Sequence, residues 1–303
     1  MGKIAFLFPG QGSQYVGMGK DLYEQFDSAR QLFDQAEDLL EFPLKKLCFE
    51  GPEDELRQTR YTQPAIFVHS VAADRLLKSK GITPRAAAGH SLGEYSALVS
   101  AGALTFENGL RLVKIRGELM QVSGEKNPGT MAAIMGLTPD DIKAVCKEAS
   151  AAGIVQAANF NSPGQIVISG SVPAVHRAME IAKEKGSRMV KELVVSGAFH
   201  SPLMGDALEG LIEALKKVEI KAPSAPVFSN VEAQPVTEPD KIRKLLQKQL
   251  LSPVLWENIL RNMIAAGYDT YYEVGPGKVL QGLLKRTDRQ FECQAAGTAE
   301  ELK

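Results

Sequence analysis

Apolar residues fall in short runs near the start of the chain and at helical spacing between them. Ile4–Phe8 is an apolar run that stops at Pro9-Gly10, and the small residues over 84–89 stop at Gly89; both predict buried strands. Helical patterns cover roughly 17–41, 63–80, 91–101 and 105–124, and this alternation predicts a parallel sheet with helices on both faces. From about 128 the rhythm changes. It predicts a strand over 130–135, a helix over 139–151 opened by Thr138, strands over 155–158 and 166–169 joined by the turn-rich 159–164, a helix over 172–185 and a strand over 189–195. That β-α-β-β-α-β order is the ferredoxin-like unit. Strands over 227–229 and Thr270–Val274, with helices over 238–250 and 254–266, return to the first theme. The expected fold is therefore α/β: a hydrolase-like, mostly parallel sheet flanked by helices, built from 1–127 and 196–303, with a ferredoxin-like subdomain inserted over 128–195.

Composition narrows the class more than the chemistry. The 303 residues are 44% hydrophobic and 23% charged, ordinary values for a globular chain with a sizeable core. A net charge of −1 gives no global attraction to nucleic acid or to an anionic membrane surface. Cys48, Cys146 and Cys293 are scattered, without metal or redox spacing, which suits a reducing compartment and points to no metal site. No apolar run approaches the roughly 18 residues that span a bilayer, and the run after Met1-Gly-Lys is too short for a signal peptide. A cytoplasmic protein, without membrane or nucleic-acid partners, is expected.

The chemistry begins at Gly89-His-Ser91-Leu-Gly93. A Gly-x-Ser-x-Gly between an expected strand and an expected helix is the nucleophile-elbow pattern, with the serine oxygen at the strand end and facing a helix N-terminus. A serine needs a base, and four histidines make elimination practical. His69 lies in an apolar helix and His176 on a charged one. His90 adjoins Ser91, and neighbouring side chains on an extended segment diverge. His200 sits in a loop after an expected strand, where scaffolded functional residues gather, and is the candidate base. No carboxylate between 91 and 200 stands at a convincing strand end, so a backbone carbonyl is the alternative orienter of the imidazole. The turn Pro9-Gly-Gln11-Gly-Ser-Gln14 matches neither a dinucleotide fingerprint nor a phosphate loop. It offers Gln11 and main-chain N–H groups to an oxyanion, with the Leu92 N–H as second donor. Arg116, on an apolar helical stretch, is suited either to a bidentate carboxylate or to a structural ion pair; Met120 lies one turn further on the same face.

Together these segments resemble the malonyl-coenzyme A:acyl carrier protein transacylases of fatty acid and polyketide synthesis. The resemblance is carried by Phe8-Pro-Gly-Gln11-Gly-Ser-Gln14, Thr62-Gln63-Pro-Ala65, Gly89-His-Ser91-Leu-Gly-Glu-Tyr95, Arg116-Gly-Glu-Leu-Met120-Gln, Asn161-Ser-Pro-Gly-Gln165, Phe199-His200-Ser201 and Glu273-Val-Gly-Pro-Gly277, in order along nearly the whole chain. It implies a ping-pong transfer. Ser91 attacks malonyl-CoA while His200 takes the proton, Gln11 and Leu92 hold the oxyanion, and the phosphopantetheine thiol of holo-acyl carrier protein then attacks malonyl-Ser91. It further implies that the Gln249 carbonyl orients His200, that Arg116 pairs with the malonyl carboxylate, and that Gln63, Met120 and Phe199 contribute to substrate binding, the Phe199 ring crowding a C2 methyl. No bound cofactor or metal is implied, and a monomer is expected. Two basic clusters, Lys183/Lys185/Arg188/Lys191 and Lys285/Arg286/Arg289, are candidates to steer an acidic carrier or are simply solvated surfaces. A thioesterase or esterase using the same Ser91–His200 pair is the competing activity. It would turn over without carrier and without dependence on Arg116. A non-catalytic carrier-binding homologue is disfavoured because Ser91, His200, Arg116 and Gln11 are all present.

Overall fold

The computed structural model describes residues 2–303. Within them ten strands form two sheets: β1 (Ile4–Phe8), β2 (Ala86–Gly89), β3 (Gly129–Met135), β4 (Val155–Ser162), β5 (Gln165–Ser171), β6 (Met189–Glu192), β7 (Val227–Phe228), β8 (Pro235–Val236), β9 (Thr270–Val274) and β10 (Cys293–Ala296). The larger sheet runs β10-β9-β1-β2-β7-β8 and is parallel except for β8, which returns antiparallel to β7.

The alternation within β1 explains its burial on both faces. Phe6 and Phe8, with Ala87 of β2, face a core shared with helix Thr59–Ser79; Ala5 and Leu7, with Ala86 and Ala88, face Trp256, Leu260 and Leu283. A strand buried on both sides reads as a continuous apolar run, and Ile4–Phe8 is one. Phe8 pairs with Gly89, so the turn after β1 and the elbow after β2 emerge side by side at the carboxyl edge. That edge is where open α/β sheets present their sites.

The second sheet is antiparallel, in the order β4-β5-β3-β6. Helices Pro139–Ala149 and Val172–Glu184 cover one face, packing on Ala132, Ile134, Ile166 and Ile168. Its other face turns Met131 and Val167 toward the core of the larger sheet's side. The segment before helix Trp256–Ala265 is stitched to this second sheet: the Val254 N–H donates to the Ala158 carbonyl and its carbonyl accepts from the Phe160 N–H.

The departures from expectation have local causes. The helix expected over 17–41 begins at Lys20 and breaks at Phe26, whose extended backbone (φ −128°, ψ 117°) separates Lys20–Gln25 from Asp27–Leu40. The helix expected from 63 begins at Thr59 and carries Pro64 in its second turn. The segment 159–162, polar enough to read as a turn, continues β4 past a register shift, leaving only Pro163-Gly164 to turn. The strand expected to reach 195 ends at Glu192. Helices Gly205–Lys216 and Val279–Thr287 were not anticipated.

Candidate active site

Ser91 occupies a left-handed backbone position, φ 51°, immediately after β2. Such a position is costly for a residue with a Cβ and persists only where its surroundings hold it. They do. The Ser91 N–H donates to Asn230 Oδ1 at 2.7 Å, and Asn230 Nδ2 donates to the Gly89 carbonyl at 2.7 Å, so one amide from the loop after β7 spans the elbow. The two glycines of the motif are required by space. A Cβ on Gly89 would stand 1.9 Å from the Gly93 carbonyl, and one on Gly93 would stand 2.1 Å from the Phe8 carbonyl oxygen.

His200 brings Nε2 to 2.8 Å from Ser91 Oγ. Its Nδ1 faces two carbonyls, Gln249 at 2.9 Å and Ser252 at 3.1 Å, which fixes the ring proton on Nδ1 and leaves Nε2 as the acceptor. The His200 backbone is itself left-handed (φ 57°), and its carbonyl accepts from Gln156 Nε2 at 2.8 Å. Burial, followed by the nearby Arg116 charge, presses its pKa down to about 3 against the pull of the two carbonyls. The imidazole is therefore neutral at physiological pH, as a general base must be.

Arg116 is 1% exposed and reaches the same oxygen: Nη2 donates to Ser91 Oγ at 3.0 Å and to Gln249 Oε1 at 3.1 Å, while Nη1 donates to Gln63 Oε1 at 2.7 Å. All three acceptors are neutral, and Nε has no partner among the described residues. A guanidinium stays ionised even here. The site thus holds a desolvated cation beside the nucleophile with hydrogen-bonding capacity to spare.

Gln11 and Leu92 sit at the ends of β1 and β2, both lining the cleft. The Gln11 side chain is engaged elsewhere, donating to Thr59 Oγ1 at 3.2 Å, so what it can offer a substrate is its main-chain N–H. Leu92 opens the helix Gly93–Ser100, whose dipole places positive potential at this edge.

The cleft, about 190 Å³, has Ser91, His200 and Arg116 as its polar floor, with Met120, Met131 and Phe199 among its apolar walls. Gln63 does not line it; it stands behind, accepting from Arg116 and donating to Met120 Sδ at 3.3 Å. His90 turns away from the serine, with Nε2 2.9 Å from Asn161 Oδ1 and its ring 5.5 Å from that of Trp256. His69 is buried in helix Thr59–Ser79, and His176 is exposed beside Glu192 at 3.2 Å. Among the described residues no carboxylate bonds His200: its Nδ1 partners are the two carbonyls.

Sequence reasoning assigned no role to Asn230, Ser252, Gln156 or Glu94. Asn230 was the findable one, a polar residue just past a strand end. Glu94 directly follows the elbow motif, is 4% exposed, and accepts from Gln249 Nε2 at 2.8 Å and the Asn230 N–H at 3.1 Å. Among the described residues no cluster of three or more His, Cys, Asp or Glu could hold a metal ion, and no helix is long and apolar enough to cross a membrane.

The acyl transferase domain model matches residues 5–302. A malonyl CoA-acyl carrier protein transacylase of Bacillus subtilis is 48% identical over 303 residues, covering 100% of this chain and 96% of its own. The structure of such a transacylase from Coxiella burnetii superposes with a TM-score of 0.97 at 41% identity, covering 99% of this chain and 96% of that one. A malonyl-transacylase solved in complex with its type II polyketide acyl carrier protein gives 0.96 at 41% identity, covering 99% and 97%. With a serine elbow, a neutral histidine and a buried arginine meeting at one oxygen, and with likeness running the length of the chain, the protein belongs to the acyl transferase family, among the malonyl CoA-acyl carrier protein transacylases.

Proposed function

We propose that this chain transfers a malonyl group from malonyl-CoA to the phosphopantetheine thiol of holo-acyl carrier protein, for fatty acid or polyketide synthesis. The observation that carries the reading is Ser91 Oγ held between a neutral His200 Nε2 at 2.8 Å and the Arg116 Nη2 at 3.0 Å. His200 accepts the hydroxyl proton as Ser91 attacks the thioester carbonyl, and the Gln11 and Leu92 N–H groups receive the oxyanion. Collapse of the tetrahedral adduct expels the coenzyme A thiolate, which takes the proton from His200. In the second half the carrier thiol gives its proton to His200 and attacks malonyl-Ser91; Ser91 leaves and recovers the proton.

Arg116 is the diacid reader. The malonyl carboxylate satisfies its spare N–H groups and neutralises the charge that, second to burial, lowers the His200 pKa, so the correct donor also makes the base stronger. Met120 and Phe199 bound the acyl pocket, and Phe199 disfavours a C2-methyl donor. Gln63 acts from behind, by holding Arg116 and Met120. The Gln249 carbonyl, with that of Ser252, keeps the His200 tautomer. On this reading 1–127 and 196–303 form the hydrolase-like unit, and 128–195 is an inserted ferredoxin-like subdomain whose Met131 and Val167 roof the cleft. The accompanying expectations are a cytoplasmic monomer that works without a bound cofactor.

Steady-state kinetics with both substrates varied test the proposal. Parallel double-reciprocal lines, with little coenzyme A release when carrier is omitted, are expected. Rapid release without carrier would make the enzyme a thioesterase.

A further inference from the structure

Gln249 touches all three parts of the site, and only its main chain has been given a task. Its side-chain Nε2 donates to the Ser91 carbonyl at 3.0 Å and to Glu94 Oε2 at 2.8 Å, while Oε1 accepts from Arg116 Nη2 at 3.1 Å. The amide, 1% exposed, has one workable orientation. Turned over, it would set Nε2 against a guanidinium donor and Oε1 against a carbonyl and a carboxylate. Glu94 is what makes the wrong orientation expensive, because it is buried and its Oε2 already serves the Asn230 N–H. The result is a chain from Glu94 through the Gln249 amide to Arg116. It keeps a carboxylate near the guanidinium without letting it occupy the guanidinium.

We infer that the Gln249 side chain, locked by Glu94, is a positioning residue that aims Arg116 for a carboxylate-bearing acyl donor, a role separate from that of the Gln249 carbonyl at His200. This rests on the reading that Arg116 receives the donor carboxylate. Gln249→Met removes the amide and leaves the carbonyl.

The test is acylation of Ser91 in the full-length protein, followed by intact mass against donor concentration, with malonyl-CoA and acetyl-CoA in parallel. Loss of a hydrogen bond to a charged group predicts a rise of about tenfold in the malonyl-CoA concentration for half-maximal acylation, and no more than about threefold for acetyl-CoA. Glu94→Leu is expected to show the same selective loss, and Glu94→Gln, which keeps an acceptor oxygen, to recover most of it. If the Met and Leu variants melt early, the isosteric Gln249→Glu decides: a carboxylate placed directly on Arg116 again lowers malonyl acylation selectively. Equal loss with both donors, or no loss, in a stably folded variant overturns the inference. Arg116→Ala separates the two levels. If it abolishes malonyl preference and the Gln249 variants do not, only this inference fails; if it leaves the preference intact, the reading beneath fails with it.

Discussion

Two side chains at the nucleophile make opposing demands on one oxygen. Arg116 donates to Ser91 Oγ, and Ser91 donates to His200, so the hydroxyl is polarised from one side and drawn toward the base from the other. Removing Arg116 should therefore cost malonyl transfer about 100-fold or more, the scale for a desolvated charge pair, and acetyl transfer much less; donor-specific acylation rates check it. The acid limb of the pH profile belongs to His200. A base acts only when unprotonated, so a pKa lowered toward 3 moves the limb far below the ordinary 6.5. With acetyl-CoA, which calls on neither Arg116 nor the Glu94–Gln249 chain behind it, the single-turnover acylation rate should hold nearly level from about pH 7.5 to below about pH 5.5, limits about one unit clear of the ordinary histidine value. A half-maximal rate near 6.5 would mean that the imidazole is more solvated than its 3% exposure indicates.

At the scale of elements, the elbow is a packing problem before it is a catalytic one. β2 and the helix after it approach so closely that a methyl group on Gly89 meets the Gly93 backbone, and backbone cannot rotate away. Gly89→Ala should destabilise by about 3 kcal/mol or more and lower acylation, read by thermal melting and mass. Thr138→Ala is the contrasting change. It removes a capping box, Thr138 with Asp141, from the helix Pro139–Ala149 and should cost about 1 kcal/mol while transfer proceeds as before.

The same scale shows what the sequence could and could not reveal. β1 was legible to the residue because a strand inside a parallel sheet is apolar on both faces; β9 matched its expected bounds as well, though Thr270 and Glu273 interrupt its apolar positions. The end of β4 was not legible, because Asn159 and Asn161 carry the composition of a turn and face the cleft instead of a core. Ser91, His200 and Arg116 were legible as candidates from their local settings. Of their partners only Asn230, 139 residues from Ser91, had a local mark, its place just past a strand end; Ser252, 52 residues from His200, and Glu94, 136 and 155 residues from Asn230 and Gln249, had none, since partners so distant leave no local pattern.

For the whole molecule, buried titratable groups set how stability responds to acid. His69 is held down to about 4 and His200 to about 3, against 6.5 for an unperturbed histidine. The unfolded chain thus binds more protons below 6.5, and stability falls as pH drops through that window. Glu94 and Glu273 are raised by burial from 4.5 to about 7, so the folded chain binds more protons between those values, and stability rises as pH drops from 7 to 4.5. The two effects oppose each other until about pH 4.5, below which only Asp74, whose carboxyl burial also raises, still works against the histidines. Melting temperature should vary little between pH 7 and 4.5 and fall steeply beneath it. A steady decline from pH 7 would show that the carboxylates are not buried as described.

The most direct test of the account is the intact mass of the wild type and Ser91→Ala after brief exposure to malonyl-CoA, then to holo-acyl carrier protein. One malonyl-sized adduct is expected that requires Ser91, forms more readily than the acetyl adduct, and disappears as the carrier gains the same mass. An adduct that persists in Ser91→Ala, or coenzyme A release that leaves neither enzyme nor carrier modified, would contradict it.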